Sequence, residues 1–145
     1  MSEELARLID EAALRRTAEL YAQGADRKDK EIWRSVLAED CRIEGPGFVS
    51  NGLESTLQSI DALGAMFRGT MHRVHNQTVM IDGDAARGET YCTADHLLKD
   101  ADQILRWTIR YLDEWTREAD GWRFKRRTLE VLWEELVPVT VKLAM

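Results

Sequence analysis

The chain has 145 residues, 44% of them hydrophobic and 32% charged, and so reads as a globular protein with one domain over residues 1–145. Its net charge of −6 argues against a nucleic-acid or anionic-membrane partner, either of which needs clustered Lys and Arg. The start is too acidic for a signal peptide and no apolar run approaches the ~20 residues that span a bilayer, so a cytoplasmic location is expected.

Residues 3–23 read as a helix. Ser2 can cap it, Glu3 and Glu4 suit the positive end of its dipole, and Leu5, Leu8, Ile9, Ala12, Ala13 and Tyr21 give it an apolar stripe. Gly24 offers a stop, and residues 25–28 read as a link. Asp29 can cap a second helix whose apolar face is Ile32, Trp33, Val36 and Leu37. Residues 41–44 look like a short strand, ended by Gly45-Pro46-Gly47. A third helix falls within residues 53–67.

The character then changes. Residues 70–81, 86–98, 104–118 and 122–134 carry β-type composition or alternation. Asp82-Gly83-Asp84, the polar residues 99–102 and Asp120-Gly121 supply the turns between them. Helices first and consecutive antiparallel strands afterwards indicate an α+β fold. Three N-terminal helices are expected in the concavity of a strongly curved, mostly antiparallel sheet, leaving a cone-shaped hollow suited to a small molecule. The one basic run, Arg123-Phe124-Lys125-Arg126-Arg127, alternates within the last strand, so its charges should divide between two faces of a solvated edge.

The three histidines all lie among the strands. Period two places His72 with Val74, Asn76, Thr78 and Met80, in partly apolar company that suggests an inward face, while His75 faces water. His96 shares a face with Thr90, Cys92 and Ala94, small residues compatible with a cavity. Leu105, Trp107, Ile109 and Tyr111 fall together on the next strand, which makes Tyr111 a candidate to line it. An imidazole, with an ordinary pKa of ~6.5, can take a proton near neutrality, and a carboxylate on its far nitrogen fixes the tautomer. Periodicity does not say which carboxylate that is.

His72 and His75 are three apart on a strand and point to opposite faces, so no metal site is expected. Cys41 and Cys92 offer neither a disulfide framework nor a C-x-x-C motif, and Cys92 reads as a small buried hydrophobe. With no Gly-rich phosphate loop and no Walker-type lysine, no organic cofactor is indicated.

The segment from Leu20 to Asp29, followed by Trp33 and by Glu39-Asp40-Cys41-Arg42-Ile43, resembles the opening of the SnoaL-like proteins. These belong to the nuclear transport factor two-like superfamily, with its cystatin-like α+β fold. Thr70-Met71-His72 with Asn76, Asp82-Gly83-Asp84-Ala85, Arg110-Tyr111-Leu112-Asp113 and Asp120-Gly121-Trp122-Arg123-Phe124 match its middle and end. The resemblance runs over roughly residues 5–130. Within the superfamily the nearest functional likenesses are scytalone dehydratase and lindane dehydrochlorinase, both of which use an Asp–His pair in an elimination. The resemblance implies Asp26 as the aspartate, His72 as the base and His96 as a second active-site histidine. Tyr111 stands at a polar substrate-binding position, and Tyr21, Asn76 and Trp107 complete the expected substrate contacts. Ala25 and Gly45 stand where the dehydratase has two tyrosines that hold a catalytic water, and His96 has no counterpart in the dehydrochlorinase.

The activity so implied is a cofactor-independent β-elimination, such as dehydration, on a small apolar or aromatic molecule. Asp26 would orient His72, and His96 or Tyr111 would donate a hydrogen bond to the departing oxygen or to a developing enolate. A ketosteroid-isomerase-like proton transfer and a non-catalytic ligand-binding or accessory subunit are the alternatives. The resemblance also implies a homo-oligomer, a dimer or trimer. Trp115 and Trp133 are candidate interface residues, and the apolar tail of residues 134–145 should cover the pocket mouth or lie in a subunit contact.

Overall fold

A computed structural model of the chain describes residues 1–144. Its elements in chain order are α1 (Glu3–Arg27), α2 (Lys30–Val36), β1 (Leu37–Gly45), β2 (Phe48–Asn51), α3 (Leu53–Met66), β3 (Phe67–Asp82), β4 (Ala85–Leu98), β5 (Gln103–Glu118) and β6 (Gly121–Pro138). The six strands form one sheet in the order β2-β1-β6-β5-β4-β3. All neighbours are antiparallel except β1 and β6, which run parallel. The sheet is curved but not closed, and the three helices fill its hollow, as expected from the order of helical and strand segments.

α1 starts at its predicted cap, where Ser2 Oγ accepts the Leu5 N–H at 3.1 Å. It does not stop at Gly24. A Cβ at Gly24 would sit 2.4 Å from Trp33 Cδ1, so this glycine is present for close packing and not for a turn. The helix runs one turn further and ends on Lys28, whose φ of 53° and ψ of 41° are left-handed. There Lys28 N–H bonds Ala25 O at 3.3 Å and Asp29 N–H bonds Gly24 O at 2.8 Å, a Schellman closure. Asp26 therefore belongs to the last turn of a helix and not to a link. Asp29 caps α2 as expected, its Oδ1 accepting from Glu31 N at 3.0 Å and Ile32 N at 3.2 Å.

β1 begins at Leu37, four residues before its predicted start, because Leu37 closes α2 and enters the sheet beside Phe124 of β6. Leu14, Ala18, Val36, Leu37, Leu57, Ile60, Trp115 and Phe124 pack between helices and sheet as the core. Trp115 is part of it, 2% exposed, stacked on Phe124 and bonded through Nε1 to Thr17 Oγ1 at 2.9 Å. It is not an interface residue, whereas Trp133 is 62% exposed.

Bulges set which side chains face the hollow. β3 pairs Val74 with Cys92 and then Gln77 with Thr90, so β3 carries one extra residue there. A second bulge lets Arg126 oppose Glu114 and Phe124 oppose Trp115, leaving Lys125 over. The chain continues in β6 to Pro138, which pairs with Gln103, and Val139 N–H bonds Asp102 O at 3.0 Å. The tail is thus the end of the β5–β6 strand pair, and among the described residues none of residues 134–144 lines the pocket. Met145, the last residue of that tail, lies outside the described residues. No described helix is long and apolar enough to cross a membrane.

Candidate active site

Asp26 projects from the last turn of α1 onto β3. Its Oδ1 accepts from the His72 ring Nδ1 at 2.6 Å and from Thr70 Oγ1 at 2.9 Å, while Oδ2 accepts the His72 backbone N–H at 2.8 Å. β3 is an edge strand, so the carboxylate supplies that N–H with the acceptor a neighbouring strand would otherwise give. An acid in the last turn of a helix faces the negative end of its dipole, a misplacement worth roughly 0.3–1 kcal/mol. Three hydrogen bonds at ~1 kcal/mol each outweigh it. Asp26 thus breaks a local rule and is held in place by distant partners, as functional or strained positions are.

The ring geometry fixes the tautomer. A carboxylate only accepts, so Nδ1 of His72 carries a proton, and in the neutral ring Nε2 is then the nitrogen with the lone pair. The side chains of His72 and Asp26 are 8% and 16% exposed.

His72 opens on a cavity of about 510 Å³ between α1, α3 and the sheet. Of the residues expected there, Tyr21, His72, His96, Trp107 and Tyr111 all line it, together with Leu105 and Ile109. Its walls are otherwise aliphatic and aromatic, with Ser50, Thr56 and Ser59 at the end formed by the β1–β2 hairpin and α3. Among the described residues no Asp, Glu, Lys or Arg lines it. A hollow of the same volume on the outer face, over Met80, Arg87 and Leu112, is more open and gathers no histidine.

Asn76 is the expected site residue that the fold takes away. The bulge between Val74 and Gln77 shifts the alternation by one, so Gln77, Val79 and Ile81 turn inward and Asn76, Thr78 and Met80 are exposed. His75 is also exposed and bonds Thr93 Oγ1 through Nε2 at 2.7 Å. Ala25 lines the cavity, and the space beside Gly45 is filled by the Phe48 ring, 2.7 Å from where a Cβ would lie.

His96 is 4% exposed, with Phe67, Trp107 and His72 at ring-centroid distances of 4.8, 5.2 and 6.1 Å. Burial holds its pKa below the ordinary imidazole value and the nearby His72 adds to this, against the pull of its hydrogen bond to the Leu105 carbonyl. Burial pushes the Tyr21 phenol up to about 12 and the Tyr111 phenol well above its ordinary value, so both stay protonated donors. Burial also pushes the Cys92 thiol up to about 12, which leaves it no thiolate character.

One element under the cavity escaped the sequence. Arg127 and Asp113 form a bidentate pair, Nε to Oδ1 at 2.7 Å and Nη2 to Oδ2 at 3.1 Å, with side chains 1% and 0% exposed. The guanidinium carbon lies 3.6 Å from the Tyr111 ring centre and 4.5 Å from that of Tyr21, so the pair forms the floor on which both phenols rest. The basic run is therefore not a wholly solvated edge: the extra Lys125 puts Arg127 on the inner face. The available signal was Asp113, which shares its phase with Tyr111 and Trp115 and so needs a cation inside.

Taken together, the molecule is an α+β protein of the cystatin-like fold whose hollow is lined by a histidine, His72, that is hydrogen-bonded to Asp26 behind it. The SnoaL-like domain model matches residues 6–128, and the chain belongs to the SnoaL-like family. Solved structures agree on the fold. Hexachlorocyclohexane dehydrochlorinase LinA-type3 from Novosphingobium barchaimii superposes with a TM-score of 0.86 at 17% identity, over 97% of this chain and 99% of that one. A scytalone dehydratase-like protein from Novosphingobium aromaticivorans gives 0.82 at 23% identity, over 95% and 93%. A protein with a cystatin-like fold from Nostoc punctiforme gives 0.73 at 22% identity, over 85% and 91%. No curated protein sequence matches the chain.

Proposed function

We propose that the protein is a small-molecule lyase that performs base-catalysed β-elimination without an organic cofactor. The observation that carries this reading is the 2.6 Å contact between Asp26 and the Nδ1 of His72, a histidine that itself lines an apolar cavity. His72 Nε2 takes the proton from a carbon beside a carbonyl, and the electron pair passes to the carbonyl oxygen, where a Tyr111 or Tyr21 hydroxyl receives the charge. The enolate then collapses to a double bond and expels the β-hydroxyl, which leaves as water with the proton returned by His72. Asp26 stabilises the imidazolium between these two transfers. The absence of charged lining suits a neutral ring, and a scytalone dehydratase-like protein and a dehydrochlorinase are among the structures that share the fold.

The test is turnover of a panel of neutral cyclic β-hydroxy ketones, read by product mass. Loss of one water from the substrate, with a drop of ~10²–10⁴ in rate for His72→Ala, supports the reading. A shifted double bond at constant mass would replace it with an isomerase that uses the same base. Turnover by His72→Ala close to that of the wild type would overturn both.

A further inference from the structure

The second histidine of the cavity has a fixed polarity. His96 Nδ1 lies 3.0 Å from the carbonyl oxygen of Leu105, directly across the β4–β5 ladder. A carbonyl oxygen has lone pairs and no proton, so Nδ1 must be the donor in this bond. Neutral imidazole has one N–H. Nε2 is then a bare lone pair, and it has no protein partner among the described residues. Arg42 Nε and Arg110 Nε are the sealed polar side-chain atoms that lack one, so His96 Nε2 is not closed off in that way. The ring itself lines the cavity.

We infer that His96 is a specificity residue that accepts a hydrogen bond, and that the substrate carries a hydroxyl or N–H donor held at His96 Nε2. This deepens the lyase reading and rests on it. The role is opposite to the donation expected from the sequence.

Chemistry then separates the groups on the substrate. An oxygen that leaves with a growing negative charge, or a halogen, would meet a lone pair at His96 and be repelled. The group seated there is one that stays on the ring, such as a phenol or an enol. The leaving oxygen takes its proton from His72, and the oxyanion takes its hydrogen bond from a tyrosine. Walls of Phe67 and Trp107 flank the His96 ring, so the donor is presented from an otherwise apolar neighbourhood. A buried lone pair left unmatched costs about 1–3 kcal/mol, or roughly ten- to a hundredfold in affinity between a donor-bearing ligand and one without the donor.

Two measurements test this. Long-range ¹H–¹⁵N correlation spectra of protein labelled at histidine read the tautomer directly: His96 should be protonated at Nδ1 and bare at Nε2. A neutral His96 protonated at Nε2 would overturn the inference while leaving the Asp26–His72 pair untouched. Binding of para-cresol, its methyl ether and para-chlorotoluene, followed by calorimetry, reads the consequence. The wild type should prefer para-cresol by about tenfold or more, His72→Leu should keep the preference, and His96→Leu should lose it. If His96→Leu is poorly folded, His96→Gln serves, since its carbonyl can accept and should restore part of the preference. Equal binding of all three probes by the wild type, or a preference lost in His72→Leu and kept in His96→Leu, would contradict the assignment. If none of the three binds, the view of the cavity as a site for neutral rings fails, and the inference with it.

Discussion

Asp26 holds His72 by two separate bonds, one to the ring and one to the backbone. Oδ1 takes the ring N–H and Oδ2 takes the amide of the same residue, so ring orientation and strand position are set by a single carboxylate. Replacing Asp26 with Ala should remove both. We predict a fall of ~10²–10⁴ in kcat with KM little changed, because the lost interaction matters most when the imidazolium forms. Stability should fall by about 1–3 kcal/mol as the edge amide and the Thr70 hydroxyl lose their acceptor. Steady-state kinetics and urea unfolding on one variant read the two effects.

His96 makes stability depend on pH with a definite sign. Its folded pKa lies below the ordinary 6.5 because the ring is buried. Above that value both states are neutral and nothing changes. As pH falls through 6.5, the unfolded chain binds a proton that the folded chain refuses, so stability drops until the lower folded pKa is reached. Asp10, Glu44 and Asp95 have lowered pKa values, so their contributions are lost only at more acid pH. Urea midpoints measured from about pH 7.5 down to about pH 5 should decline in the wild type and decline less in His96→Gln.

Gly24 is a packing residue. Adding a methyl group there would place it against the Trp33 indole, which itself stacks on Tyr21 at 4.6 Å in the cavity wall. Gly24→Ala should cost about 1–3 kcal/mol despite the better helix propensity of alanine, and thermal unfolding will show it.

The floor of the cavity rests on a pair of charges with no water to fall back on. Asp113→Ala would strand the Arg127 guanidinium beneath Tyr111 and Tyr21, and we expect a loss of about 3–5 kcal/mol. Replacing both members with apolar residues, Asp113→Leu with Arg127→Met, should recover much of that loss. Chemical denaturation of the single and double variants decides it.

Asn76 offers a control. The bulge turns it to solvent, so Asn76→Ala should leave kcat/KM within about twofold of the wild type, inside the range of ordinary surface substitutions.

Much of this architecture could be read from the sequence, and the exceptions share a cause. Ser2, Asp29 and the hairpin turns carry local signals, so α1, α2 and the four long strands β3 to β6 start close to where their residues direct, whereas β1 starts four residues early and β2 is not among the expected strands. Gly24 misleads because a glycine that ends a helix and one that admits a tryptophan look alike along the chain. Asn76 and Arg127 mislead because period two holds only between bulges, and a bulge is set by pairing with a distant strand. Asp26 could be named through family resemblance alone, since nothing local links a helix end to a strand forty-six residues on.

The central claim is that His72, held by Asp26, removes a proton from carbon. The most direct measurement is exchange of the α-hydrogens of β-tetralone in D₂O, since this neutral ketone can lose a proton but has nothing to eliminate. The account predicts exchange accelerated at least ~10²-fold over buffer by the wild type and lost in a folded His72→Gln variant. Exchange no faster than in buffer, or as fast in His72→Gln as in the wild type, would contradict it.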